Sequence, residues 1–283
     1  MKFKLSFIAG IALTLLSMKS FAQDSNFYIF LAIGQSNMEG NGRAEAQDST
    51  VDSRFQVLQA VDCDALNRKK DNWYTAKPPI SRCRTGLTPG DYFGRTLVAN
   101  LPSKVRVGII NVSVAGAKIE VFDKDNYQAY VNTTADWLKN IVKEYNGNPY
   151  ERLVELAKTA QKSGVIKGIL LHQGESNTND TLWTKKVKVV YDNLMKDLKL
   201  NPKSVPLLAG ETVNADQNGA TASMNKIIAT LPQTIPNSYV ISSAGAPAKG
   251  DRLHFTNEGY RILGTRYGTK MLDLLGVKVK EKK

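Results

Sequence analysis

Histidine is nearly absent from this chain. Two occur in 283 residues, His172 and His254, and cysteine is as scarce, with only Cys63 and Cys83. There is no C-x-x-C pair and no H-E-x-x-H, so neither a structural nor a catalytic zinc site is expected. Internal repeats are missing, which excludes a solenoid or propeller. No low-complexity linker interrupts the composition, so one domain over residues 23–283 is the simplest organisation. No arginine-rich stripe with interleaved aromatics is present, so nucleic acid is not an expected partner. Past residue 22, no apolar run is long enough to cross a bilayer.

Acidic residues are also in the minority, 26 against 38 lysines and arginines, for a formal charge of +12. Part of that excess belongs to the N-terminus. Lys2 and Lys4 precede an apolar run from Phe7 to Leu16, and Ser20-Phe21-Ala22 has the small–x–small form of a signal-peptidase site. Residues 1–22 are therefore read as a signal peptide rather than an anchor. Removing those 22 residues, three of them lysine, leaves 261 residues at a formal charge of +9. The expected product is exported, periplasmic or extracellular, without a stable membrane anchor. Its basic surface suits acidic glycans or simple solubility equally. In an oxidising compartment Cys63 and Cys83 are expected to pair across their 20-residue separation, with two free thiols as the alternative.

What is present is an alternation of strand-like and helix-like segments. Residues 27–34, 105–114, 166–172, 205–210 and 239–242 read as strands. Residues 91–101, 149–163, 181–200, 220–231 and 257–275 read as helices. Strands that are apolar throughout, separated by helices, predict a parallel sheet covered on both faces. In such folds the functional groups stand at the carboxyl ends of the strands.

Each of those ends carries a polar cluster: Gln35-Ser36-Asn37, Ala115-Gly116, His172-Gln173-Gly174-Glu175 and Asp251-Arg252-Leu253-His254. Ser36, after Gly34, is a candidate nucleophile, and a serine hydroxyl needs a base to act as one. His254 lies three residues after Asp251, close enough for the carboxylate to hold one ring nitrogen and leave the other for the serine. An ester carbonyl attacked there needs oxyanion donors. The candidates are the N–H groups of Ser36 and Gly116 and the side-chain amide of Gln173. Met38 stands where an α/β-hydrolase elbow requires glycine, so that motif is excluded. His172, inside an apolar strand, is expected to hydrogen-bond within the core. Gln35 and Asn37 are candidate substrate contacts. The aromatics, Trp73, Trp137 and Trp183 among them, include candidate sugar-stacking surfaces.

Gly34-Gln35-Ser36-Asn37-Met38-x-Gly40, Val114-Ala115-Gly116, His172-Gln173-Gly174-Glu175-Ser176-Asn177 and Asp251-x-x-His254-Phe255 resemble the four motif blocks of the SGNH hydrolase superfamily. The branch they resemble is that of sialate O-acetylesterases and acetylxylan esterases, carbohydrate esterase family six. The closing Gly259-Tyr260-x-x-x-Gly264-x-Arg266 is similar too, and the blocks keep the family's order over residues 27–268. The resemblance implies a three-layer α/β/α sandwich of flavodoxin-like type with a central parallel sheet. It implies ester hydrolysis through a serine acyl-enzyme without a metal or other cofactor, and an acetylated carbohydrate as substrate. It also implies Ser36 as nucleophile, His254 as base, and Ser36, Gly116 and Gln173 as the oxyanion hole. The superfamily at large carries asparagine in the third block, where this branch and this chain carry glutamine. Either Asp251 or Glu175 orients the histidine in such a branch, and the residues leave both open. Xylan, sialic acid or another acetylated glycan are equally compatible. A transacylase using the same site and a non-catalytic glycan-binding protein are the competing readings. Nothing in the chain speaks to its oligomeric state.

Overall fold

A computed structural model of the chain describes residues 23–279. The signal peptide expected at residues 1–22 lies outside them. Seven strands form one sheet: β1 Asp24–Gly34, β2 Phe55–Leu58, β3 Trp73–Thr75, β4 Arg106–Ser113, β5 Gly164–His172, β6 Leu207–Gly210 and β7 Ser238–Ile241. Their spatial order is β3-β2-β4-β1-β5-β6-β7. Every pairing is parallel except β2 with β3 at one edge. The expected parallel α/β sheet is present, with this one antiparallel strand added.

The layers follow from the alternation of side chains along each strand. On β1, Ile29, Leu31 and Ile33 point into one apolar layer. Phe30 and Ala32 point into the opposite one. The first layer is closed by the helices Asp136–Glu144, Pro149–Gln161 and Trp183–Asp197, through residues such as Ile141, Leu153, Leu156, Val187 and Leu194. The second is closed by Pro89–Asn100 and Asn257–Leu274, through Phe93, Leu97, Tyr267 and Met271. Helix starts carry the local signals that make them. Thr88 caps the first turn of Pro89–Asn100 in a capping box with Asp91, Asn148 caps Pro149–Gln161, and Thr256 caps Asn257–Leu274. The 220–231 segment forms two short helices, Met224–Ile228 and Leu231–Thr234, in place of one, with a proline in the first turn of the second.

No strand is expected between residues 34 and 105, yet Phe55–Leu58 and Trp73–Thr75 form β2 and β3 at one side of the sheet. Both are too short for periodicity to separate them from coil. The Cys63–Cys83 disulfide is formed and ties this edge to the following loop. Arg68 braces the same loop from inside, donating to the carbonyls of Thr75, Lys77 and Pro79. Among the described residues, no helix is long and apolar enough to cross a membrane.

β1 sits where the chain changes direction across the sheet, with β4 on one side and β5 on the other. In the register, Gly34 is level with Ser113 and with His172. The residues that follow these three strands therefore emerge side by side, at the switch point where open α/β sheets bind their ligands.

Candidate active site

The turn out of β1 requires a residue without a side chain at Gly34. A Cβ there would stand 2.2 Å from the His172 carbonyl oxygen and 2.8 Å from Met38. With that clearance the chain enters a one-turn helix, Ser36–Glu39, whose first residue is Ser36. The Ser36 N–H therefore has no acceptor within its helix.

The last strand leads into a loop that returns to this point. Arg252 adopts positive φ, and the turn folds Asp251 back on its own chain. Asp251 Oδ1 accepts the backbone N–H groups of Leu253 at 2.9 Å and His254 at 3.0 Å. Its Oδ2 lies 2.8 Å from His254 Nδ1. His254 Nε2 in turn lies 2.8 Å from Ser36 Oγ. Burial works against ionisation of Asp251. The N–H of His254, its ring and the N–H of Leu253 outweigh it and hold the carboxyl down at about 2. The aspartate is thus charged at neutral pH, and its contact with Nδ1 fixes the tautomer that leaves Nε2 bare toward the serine.

Glu175, the other candidate acid, lies elsewhere. Its Oε1 accepts from Asn37 Nδ2 at 2.6 Å and stands 3.7 Å from His172 Nε2, and among the described residues its Oε2 has no hydrogen-bond partner. His172 is fully buried, and burial keeps its pKa below the usual value although Glu175 pulls the other way. Its ring packs edge-on against Phe255 at 5.7 Å, with Nδ1 3.4 Å from Tyr267 Oη. It belongs to the floor beneath the relay, as its place in an apolar strand leads one to expect.

Burial bears on two further expectations. Asn37, a candidate substrate contact, is fully buried and its side chain is engaged throughout. Nδ2 donates to Glu175 and to the Leu253 carbonyl at 3.0 Å. Oδ1 accepts from Tyr260 Oη at 2.7 Å and from the Phe255 N–H at 3.4 Å. The residue after the serine thus grips both neighbours of the histidine. Gln173 was read as an oxyanion donor. Its amide nitrogen already faces Gln35 Oε1, the Ala117 carbonyl and Asn177 Oδ1, and its carbonyl accepts the indole N–H of Trp183. A buried amide must find partners inside the protein, and this one has found them. Gln35 is almost as buried. Its Oε1 takes the Gln173 amide and the Ser176 N–H. Its amide nitrogen has no acceptor among the described residues, so Gln35 keeps the capacity to donate to a ligand.

Gly116 holds φ at +69°, and a Cβ on it would stand 2.5 Å from the Trp137 ring. Among the described residues, the N–H groups of Ser36 and Gly116 have no acceptor. The approach to Gly116 is fixed by Glu39, at the end of the serine's helix. Glu39 Oε1 accepts the Ala115 N–H at 3.2 Å and Arg82 Nε at 2.9 Å. Arg82 is the neighbour of Cys83, so the disulfide-tied loop reaches the site through this ion pair. Sequence reasoning missed this link, because Glu39 and Arg82 lie 43 positions apart in the chain. A cleft of about 790 Å³ between β7 and the last helix shares no residue with the site.

A serine, histidine and aspartate in hydrogen-bonded sequence, at the carboxyl edge of a mostly parallel α/β/α sheet, define a serine ester hydrolase of the SGNH type. Residues 26–273 match the family described as carbohydrate esterase, sialic acid-specific acetylesterase. The chain belongs to that family and is a carbohydrate O-acetylesterase. It is 24% identical over 250 residues to an Arabidopsis thaliana protein described as a probable carbohydrate esterase, spanning 83% of this chain and 86% of that one. An Arabidopsis thaliana structure superposes with a TM-score of 0.67 at 22% identity, over 88% of this chain and 98% of its own. A carbohydrate acetylesterase from Xanthomonas citri gives 0.58 at 18% identity, over 86% of this chain and 55% of its own. At these identities the superpositions speak for the shared fold.

Proposed function

We propose that the chain hydrolyses acetyl esters on a glycan through an acetyl-enzyme at Ser36, with His254 as base and Asp251 as the acid that orients it. The observation that carries this reading is the unbroken relay of two 2.8 Å contacts from Asp251 through His254 to Ser36. In the first half-reaction His254 Nε2 takes the Ser36 proton while Oγ attacks the acetyl carbonyl. The oxyanion receives the N–H groups of Ser36 and Gly116, and the geometry favours the Gln35 amide over that of Gln173 as a further donor. The carbon–oxygen bond to the sugar then breaks, and His254 returns the proton to the departing hydroxyl. In the second half-reaction water attacks the acetyl carbonyl as it gives a proton to His254, the bond from that carbon to Oγ breaks as His254 returns the proton to Ser36, and acetic acid leaves, ionising to acetate. Export of the mature chain after residue 22 fits the disulfide, which belongs to an oxidising compartment.

The test is acetate release from 4-nitrophenyl acetate, acetylated xylan and O-acetylated sialic acid, by wild type and Ser36→Ala in parallel. Turnover of a small ester and of at least one sugar, lost in the variant with the fold retained, is the expected result. Wild-type-like turnover by Ser36→Ala removes the serine from the mechanism. Transfer of acetyl to a glycan acceptor in place of water would assign a transacylase instead.

A further inference from the structure

We infer that Trp137 is the platform on which the sugar ring carrying the acetyl ester stacks, an inference that rests on the function proposed above. The chain has three tryptophans, and two are accounted for by the fold. Trp183 is fully buried with its N–H on Gln173, and Trp73 packs on Phe27 with ring centroids 4.8 Å apart. Trp137 is 55% exposed, and among the described residues its indole N–H has no partner and its ring no aromatic or cationic neighbour. It stands at the start of the helix Asp136–Glu144, which is pinned to the core by Leu138, Ile141 and Val142 on its other face. The ring is therefore presented from a fixed backbone rather than from a loose loop.

Its position gives that exposure a meaning. The six-membered end of the indole points end-on at Gly116, so close that a Cβ on residue 116 would meet Cη2 at 2.5 Å and Cζ2 and Cζ3 at 3.4 Å. Gly116 supplies a free N–H at the carboxyl edge of the sheet, beside the turn that carries Ser36. Ser176 Oγ, donating to the Gly116 carbonyl at 2.9 Å, holds that peptide from the opposite loop. An acetyl group bound with its oxygen toward Gly116 is small. What extends beyond it toward the indole is the alcohol half of the ester. A pyranose presents one face of C–H groups with hydroxyls around the rim. It can cover a flat apolar ring without stranding a polar group, whereas an indole left half in water has apolar area still to bury.

Trp137→Ala and Trp137→Phe are compared with wild type on acetylated xylotetraose, O-acetylated sialic acid and ethyl acetate, an ester with no ring to stack. The quantity read is kcat/KM on the sugar divided by kcat/KM on ethyl acetate. Covering on the order of 60 Å² of indole corresponds to about tenfold in that ratio. The expected result is a tenfold fall in Trp137→Ala, carried by KM, and a smaller fall in Trp137→Phe, which keeps a flat ring. An unchanged ratio, whether both activities persist or both fall together, overturns the platform while leaving the esterase reading intact. A wild type that cleaves ethyl acetate but neither sugar overturns the carbohydrate reading and the platform with it.

Discussion

Replacing Asn37 by alanine tests whether this residue registers the serine against the histidine or touches substrate. The side chain is completely buried and holds four groups: the Glu175 carboxylate, the Leu253 carbonyl, the Tyr260 hydroxyl and the Phe255 N–H. Alanine leaves the first three buried without this partner. Each buried group left unpaired costs about 1–3 kcal/mol, and a charged one more, so the three together cost roughly 3–5 kcal/mol after partial relaxation. The same bonds tie the residue after Ser36 to the residues on either side of His254. A misplacement on the order of 1 Å between nucleophile and base costs about a hundredfold in rate. The expected outcome is a clear loss of stability in urea unfolding and a fall in kcat on 4-nitrophenyl acetate of about a hundredfold, with KM little changed. Asn37→Asp is a sharper version. It keeps an acceptor for Tyr260 but sets a second carboxylate where the amide now lies 2.6 Å from Glu175, so like charges meet in a buried space. A stable Asn37→Ala protein whose only defect is a raised KM for acetylated sugars would refute the brace and restore a substrate contact.

Asp251→Asn should lower kcat by about 10²–10⁴ through loss of the orienting carboxylate, and Glu175→Gln by far less, because an amide oxygen can still accept from Asn37. The reverse order would move the acid to Glu175. Asp251 stays ionised down to about 2, so the orienting carboxylate keeps its charge at neutral pH. Away from the site, burial pushes the Asp91 carboxyl up to about 7, against the pull of the Thr88 N–H and Arg95. The folded state then keeps a proton that the unfolded chain releases near pH 4. Between about pH 4 and 7 rising pH must erode stability, by a few kcal/mol at most. Asp91→Asn removes that slope, so its melting temperature relative to wild type should climb across this interval, and a flat difference would show that Asp91 is ionised in the fold.

The α/β class, the edge on which the polar clusters gather, and the serine and histidine of the relay were legible in the residues alone. The reason is local. Five parallel strands read as largely apolar runs, and the residues that end them are polar because they leave the core. Gly34 and Gly116 are legible for the same reason, since a tight turn admits little else. Short edge strands carry too few residues to show a period, so β2 and β3 escaped. The choice of Asp251 over Glu175 as the proposed acid rests on the fold, because both lie within a few residues of a histidine and the folded chain separates the two pairs. The fold also shows the Asn37 and Gln173 side chains buried and hydrogen-bonded within the protein. A side-chain amide suits a ligand or a neighbouring peptide equally well by composition. Which one it meets depends on burial, and burial here is set by strands and loops more than a hundred residues apart.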